Sequence, residues 1–277
     1  PWSEGQNVRQ LEPMGFIKFD ILGLSTLRMI EDCIEKILRR HHGIANPTFE
    51  DIKKFYDANL HPDKIDLNDQ KVYENIFHEG KWIGIFQFTE NGAQTFAKQV
   101  KPRSIIDISA ITSIYRPGPL SAGVDREFVE AHNAPENVKY INDLVQEVTE
   151  ETHGFLIFQE QIAMLAHKLG RNLTLDEGNL LRKVLTKKGT GKGHEVKDTI
   201  HEKFVLGCQD KGMPLYQAEE LWKTFEYFSG YGFNKSHAVS YSIISFQCAW
   251  LCNYYNVEWT ASFLDKEHET RKEKAIN

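Results

Sequence analysis

The chain has 277 residues, 41% of them hydrophobic and 26% charged, with a net charge of −6. That composition describes a soluble globular protein able to bury one large core or two modest ones. No global positive field draws such a molecule to nucleic acid, so any attraction of that kind must come from local patches. In chain order, Phe16 to Ile21 alternate and predict a short strand with Ile17, Phe19 and Ile21 on its buried face. Leu27, Ile30, Ile34, Ile37 and Leu38 then form an apolar stripe at helical spacing, closed by Gly43 and Asn46-Pro47. Thr48 with Asp51, Ser104 with Asp107, and Thr174 with Glu177 carry the capping-box pattern of a helix start. Further helices are predicted at about 70–78, 121–132, 159–169, 195–209, 216–228 and 238–254. Lys81 to Phe88 (KWIGIFQF) reads as a second strand, Thr186 to Gly193 (TKKGTGKG) as a basic glycine loop, and Lys266 to Asn277 as a fraying end.

Four constellations can carry chemistry. Lys18 and Asp20 share one face of the predicted strand, where a carboxylate can hold a divalent cation and an ammonium can meet phosphate; a surface ion pair is the alternative. Arg116 sits in Tyr115-Arg116-Pro117-Gly118-Pro119, a rigid corner that presents a guanidinium for bidentate phosphate binding, or simply stops a helix. Arg182, Lys183, Lys187, Lys188, Lys192 and Lys197 gather on one helix end and its loop, a phosphate-tracking patch or a solvated lysine face. Asn234, Lys235, Ser236 and His237 fall at a helix N-terminus, which favours anions, though an N-cap with a charged rim reads the same way.

Other readings lack support. Cys33, Cys208, Cys248 and Cys252 are scattered, which fits a reducing compartment, and the apolar neighbours of Cys248 and Cys252 favour buried thiols over zinc ligands. His41-His42 marks a helix end without a carboxylate at metal spacing. No Walker A loop, Gly-x-Ser-x-Gly elbow or Gly-x-Gly-x-x-Gly turn occurs. The run from Ala238 to Cys252 is too short and too interrupted by serines to span a bilayer. There is no signal-peptide pattern, and Pro1 is not an initiator residue, so the chain is read as processed or cut from something larger.

Taken in order, GFIKFDILGL (15–24), GIFQFTE (84–90), RPGPL (116–120), FQEQI (158–162), LRKVLTKK (181–188) and FSGYGFNKSH (228–237) resemble the C-family replicative DNA polymerases of the bacterial DNA polymerase III alpha type. The likeness covers about residues 13–265. It implies a predominantly α fold: a large multi-helix fingers domain over 25–268, a short β piece of a nucleotidyltransferase-like palm over 1–24, and a frayed end at 269–277. It implies template-directed addition of dNMP from dNTP to a primer 3′-end by two-metal transfer with Mg2+. Asp20 would be a catalytic carboxylate and metal ligand, and Lys18 a neighbour of the triphosphate. Arg116, Arg182 and Lys183 would face that triphosphate; Lys187, Lys188, Asn234, Lys235 and His237 would line the pocket or its approach, with Gln159 and Gln161 close by. The implied partners are primer–template DNA, dNTP, the remaining palm, thumb and C-terminal regions, and a sliding clamp, in the cytoplasm of a bacterial or phage-infected cell, with no membrane.

The departures are specific. Family members carry two adjacent arginines where this chain has Arg182-Lys183, and Met-Gly where it has Leu185-Thr186. A lysine keeps the charge but loses the planar fork. No Asp-x-Asp pair, the family's other metal carboxylates, occurs in these residues, so this segment alone is expected to be inactive. The alternatives are one half of a naturally split polymerase and a non-catalytic helical module that binds nucleic acid.

Overall fold

The computed structural model describes residues 14–17, 19, 23–121, 123–186, 191–228, 232–267, 269, 272 and 273. The described chain is predominantly α-helical and contains no β-strand; an isolated parallel bridge joins Phe158 to Phe233. Among the described residues, no helix is long and apolar enough to cross a membrane.

Helix α1 (Ser25–His41) buries Ile30, Ile34, Ile37 and Leu38 as its spacing requires, while Leu27 stays 47% exposed. Gly43, at φ +70°, lets the chain turn away behind it. The Thr48–Asp51 capping box opens α2 (Phe49–Asn59), with the Asp51 N–H donating to Thr48 Oγ1 at 3.3 Å and the Thr48 N–H to Asp51 Oδ2 at 2.9 Å. A short α3 (Gln70–Val72) runs into a π-helical turn (Tyr73–His78), then α4 (Asn91–Val100) and α5 (Ile105–Ile114) follow. Beyond the Arg116 corner come α6 (Pro117–Ser121) and α7 (Val124–Asn133).

The second half stacks α8 (Asp143–Thr149), α9 (Gln159–Leu169), α10 (Leu175–Thr186), α11 (Gly191–Asp210) and α12 (Leu215–Phe228). Two long helices, α13 (Lys235–Tyr254) and α14 (Asn256–Lys266), return to the first half. There α14 packs on α1 and α13 on α5, where Ser109 Oγ donates to Ser242 Oγ at 3.0 Å. Two hydrophobic cores result. One gathers Ile34, Ile37, Phe77, Phe88, Ile111, Phe246 and Trp259; the other gathers Leu165, Leu169, Phe204, Trp222 and Phe225.

Several expectations are corrected. Phe16, Ile17 and Phe19 carry no regular structure and are 54%, 77% and 80% exposed, not a half-buried strand. A lone strand leaves its backbone groups unpaired, and among the described residues there is no strand for it to join. The predicted strand at 81–88 is a series of turns, because Gly80, Gly84 and Gln87 take φ values of +79°, +71° and +66° that break extended geometry. Its aromatic side chains still bury, with the Trp82 and Phe88 rings stacked at 5.4 Å. The helix expected over 121–132 divides at Gly123, φ +75°. Residues 191–193, expected in the glycine loop, already belong to α11.

The four cysteines are all buried and unpaired, and burial pushes the Cys248 thiol up to about 12. They are packing groups, not nucleophiles.

Candidate functional site

The first turns of α9 and α13 lie side by side. The Gln159 N–H donates to the Phe233 carbonyl at 2.9 Å, the Phe233 N–H to the Ile157 carbonyl at 3.1 Å, and Gln159 Nε2 to the Gly232 carbonyl at 2.8 Å. A Cβ at Gly232 would lie 2.9 Å from Gln159 Cγ and 2.7 Å from the Phe228 ring, so this close approach requires glycine. Phe233 in turn carries the Arg116 guanidinium over its ring, 4.8 Å from the centroid. The proline-glycine corner thus aims Arg116 at the start of α13.

Helix α10 crosses α9 so closely that a Cβ at Gly178 would lie 2.4 Å from the Ala163 carbonyl oxygen. One turn further along α10, Arg182 Nη1 comes to 3.5 Å from Gln159 Oε1 and 3.4 Å from Glu160 Oε1. A residue with no bulk at the crossing is what allows the basic helix to reach the α9 N-terminus.

Glu160 is the centre of the cluster. Its Oε1 accepts from Asn234 Nδ2 at 2.8 Å, its Oε2 from the Lys235 backbone N–H at 2.9 Å, and Arg182 stands against Oε1. A carboxylate therefore occupies the anion-favouring end of α13. Asn234 also serves as the N-cap, with its Oδ1 accepting from the His237 N–H at 2.8 Å. The cap reading of the tetrad is thus met by Asn234, and the carboxylate beside it is the chain's own Glu160. The Lys235 ammonium is gripped by both oxygens of Glu151 at 2.6 and 2.8 Å, and lies 5.8 Å above the Phe158 ring.

Arg116, Gln159, Arg182, Asn234 and Lys235 are thus brought to one place from four separate segments. The exposed His237 adjoins them, its ring packed on Phe233 at 5.5 Å and Tyr241 at 4.1 Å. Lys183 is exposed on α10 beside Arg182. Gln161 points the other way and is 3% exposed; its Oε1 accepts from the Ile157 and Phe158 N–H groups at 2.8 and 2.9 Å and its Nε2 donates to Thr152 Oγ1 at 2.7 Å. It shapes the turn that presents Gln159 and Glu160. Lys18, Asp20, Lys187 and Lys188 lie outside the described residues.

Sequence reasoning passed over Glu160 and Glu151. Glu160 stood in the middle of FQEQI, and a lone carboxylate among expected cations was the available signal. The described residues do not compose a Mg2+ site at this cluster, since both carboxylates are taken up by cations and N–H donors. Nor is the cluster a closed pocket. A slot of about 40 Å³ between Ser113, Pro119, Val124 and Phe228 adjoins it, and a cleft of about 550 Å³ lined by Trp82, Glu90, Asn91, Gln94 and Phe263 contains none of its cations.

The comparisons agree on one family. The profile described as bacterial DNA polymerase III alpha subunit finger domain matches residues 26–212. The chain is 34% identical over 266 residues to the DNA polymerase III subunit alpha of Campylobacter jejuni, which covers 96% of this chain and 20% of that protein. It is 33% identical to the protein of the same name from Aquifex aeolicus, over 95% of this chain and 21% of that one. The Thermus aquaticus protein is 32% identical over 97% of this chain and 21% of its own length. The chain thus spans about a fifth of the curated relatives it matches.

Proposed function

The chain belongs to the bacterial DNA polymerase III alpha subunit finger-domain family, and from that premise we propose that the Glu160 cluster is where it meets the triphosphate of an incoming dNTP. The observation that carries this reading is the carboxylate of Glu160, held by a helix N-terminus, an amide and a guanidinium. A phosphate offers the same acceptor geometry with more charge, so it competes for those donors. Arg116 and Arg182 approach from the two sides, and Lys235 exchanges Glu151 for phosphate oxygen. Asn234 and the Lys235 N–H orient the phosphate, Gln161 fixes the backbone beneath it, and Lys183, Lys187, Lys188 and His237 extend the positive approach.

In the complete protein this segment supplies the fingers over 25–268, with 1–24 as the last piece of the palm and 269–277 leading toward a C-terminal region. Nucleotidyl transfer to a primer 3′-end, the primer–template itself and a sliding clamp belong to that larger assembly. Asp20 enters the proposal as a metal carboxylate beside Lys18, and Mg2+ enters through it and through carboxylates that this chain lacks. By itself the segment is inactive. None of the steps assigned to residues 116–237 runs through the metal.

The test is primer extension by the full-length protein, with KM for dNTP and Kd for primer–template measured separately. Arg182→Ala and Lys235→Ala are each expected to raise KM for dNTP about tenfold, the loss of one charge-assisted contact, with DNA affinity unchanged. An unchanged KM combined with weaker DNA binding would transfer the cluster to the DNA backbone and overturn the proposal.

A further inference from the structure

A second group of polar side chains converges beneath α5 and α7, and the polymerase reading makes no use of it. Asp107 comes from the first turn of α5, His132 from the last turn of α7, and His153 from the residue after a 3-10 turn at Glu150–Thr152. Their donor atoms lie within 4.8 Å of one another. His132 Nδ1 is 2.8 Å from His153 Nε2 and 3.7 Å from Asp107 Oδ1. Asp107 and His132 are 7% and 4% exposed, whereas His153 is half-buried.

The surroundings orient all three groups. The Arg103 N–H donates to Asp107 Oδ2 at 2.8 Å, which turns Oδ1 toward the histidines. Phe128 lies along the His132 ring, centroids 6.0 Å apart and 23° between planes, and 5.7 Å from His153. His153 itself takes φ +53°, a left-handed backbone that a non-glycine residue adopts at a cost. Burial first, and for His153 the neighbouring His132 as well, holds both imidazoles below the usual histidine range. The other His132 nitrogen, Nε2, is buried without a hydrogen bond of ordinary geometry, although the Lys101 backbone is near enough to favour its protonated form.

Two imidazoles and a carboxylate drawn together, with one hydrogen bond between the rings and one from the Arg103 N–H to Asp107, leave part of their desolvation uncompensated. A small cation among them would compensate it. Donors around a tetrahedral ion of the zinc type stand about 3.3 Å apart, and the observed separations lie on either side of that distance. We infer that Asp107, His132 and His153 form a binding site for a Zn2+-like divalent cation, using Asp107 Oδ1, His132 Nδ1 and His153 Nε2. Two nitrogens and one oxygen favour Zn2+ over Mg2+ or Ca2+. The ion would tie α5 and α7 to the segment that leads into Phe158 and Glu160, so it is a structural clamp, and it does not depend on the nucleotide reading.

The experiment compares full-length wild type with His153→Ala, each incubated with Zn2+, dialysed, and assayed for metal by mass spectrometry. The variant is expected to carry one zinc fewer per chain and to lose the visible absorption that Co2+ acquires in the wild type. Chelation is expected to lower the Tm of the wild type and to leave that of the variant where it was. If His153→Ala does not fold, as judged by circular dichroism, the wild-type measurements decide alone: the absence of both bound zinc and a chelator-sensitive Tm overturns the proposal. Equal zinc in folded wild type and folded variant overturns it too.

Discussion

The two cores are built in different ways. The first closes over the whole length of the sequence, with α1 and α5 meeting α13 and α14 only after the chain has returned. The second is a pile of neighbours, α8 to α12, each packed largely against the helices next to it in sequence. Non-local closure must overcome more loop entropy before it is rewarded, so the first core is expected to assemble later. The basic cluster draws on both. Arg116 and the α13 N-terminus belong to the first, Arg182 to the second, and α9 begins in one and ends in the other. Its charge geometry therefore reports how the cores sit on each other, and Glu160 is the pin between them.

The largest effect is expected inside the second core. Gly178→Val drives a branched side chain into the Ala163 carbonyl, and opening the α9–α10 crossing should cost about 3 kcal/mol in urea unfolding. It should also draw Arg182 away from Glu160, so that dNTP affinity falls with stability. If stability falls while dNTP affinity stays, the crossing does not place the guanidinium.

A middle-sized effect belongs to the first core. Glu258 on α14 is 4% exposed and takes Arg40 at 2.9 Å and His41 at 3.0 Å from the end of α1. Burial opposes its charge, but its own backbone N–H, His41 and Arg40 outweigh that and hold the carboxyl below the usual glutamate range. A depressed folded-state value stabilises above the unfolded pKa, and that stability is lost as pH falls through the folded one. Glu258→Gln should therefore cost about 1–2 kcal/mol at neutral pH, with the gap to wild type closing below about pH 4. A gap that stayed constant with pH would mean that shape, not charge, joins α14 to α1.

The smallest effect is at the seam. Glu160→Gln keeps an acceptor for the N-terminus of α13 but removes the charge that, in the proposed function, competes with phosphate. Triphosphate affinity should rise ~3-fold, in line with a partly exposed ion pair worth under about 1 kcal/mol. A fall in affinity, read by equilibrium binding of a non-hydrolysable dNTP, would make Glu160 a scaffold rather than a competitor.

Legibility in the sequence follows the range of the interaction. The capping boxes at Thr48 and Thr174 form as read, and α9 begins and ends where its pattern predicts, because caps and helical periodicity are settled within a few residues. Helix α14 went unread: its buried Trp259 and Phe263 acquire a core only when α1 lies beside them. KWIGIFQF misleads for a related reason. Its aromatic residues pack on the core as hydrophobicity demands, Phe88 fully buried and Trp82 and Phe86 partly, but positive φ values at Gly80, Gly84 and Gln87 turn the backbone in a way that no periodicity announces.

The predominantly helical class, the capped helix starts at Thr48 and Thr174, the family, and the residue types gathered at the basic cluster were therefore readable from the sequence alone. All of these rest on local patterns or on ordered motifs. Only the tertiary structure decided that Glu160 and Glu151 are the partners of those cations, that Gln161 turns inward, and that Asp107 meets His132 and His153. Each depends on groups that the chain brings together by packing, and desolvation, not spacing, sets its strength.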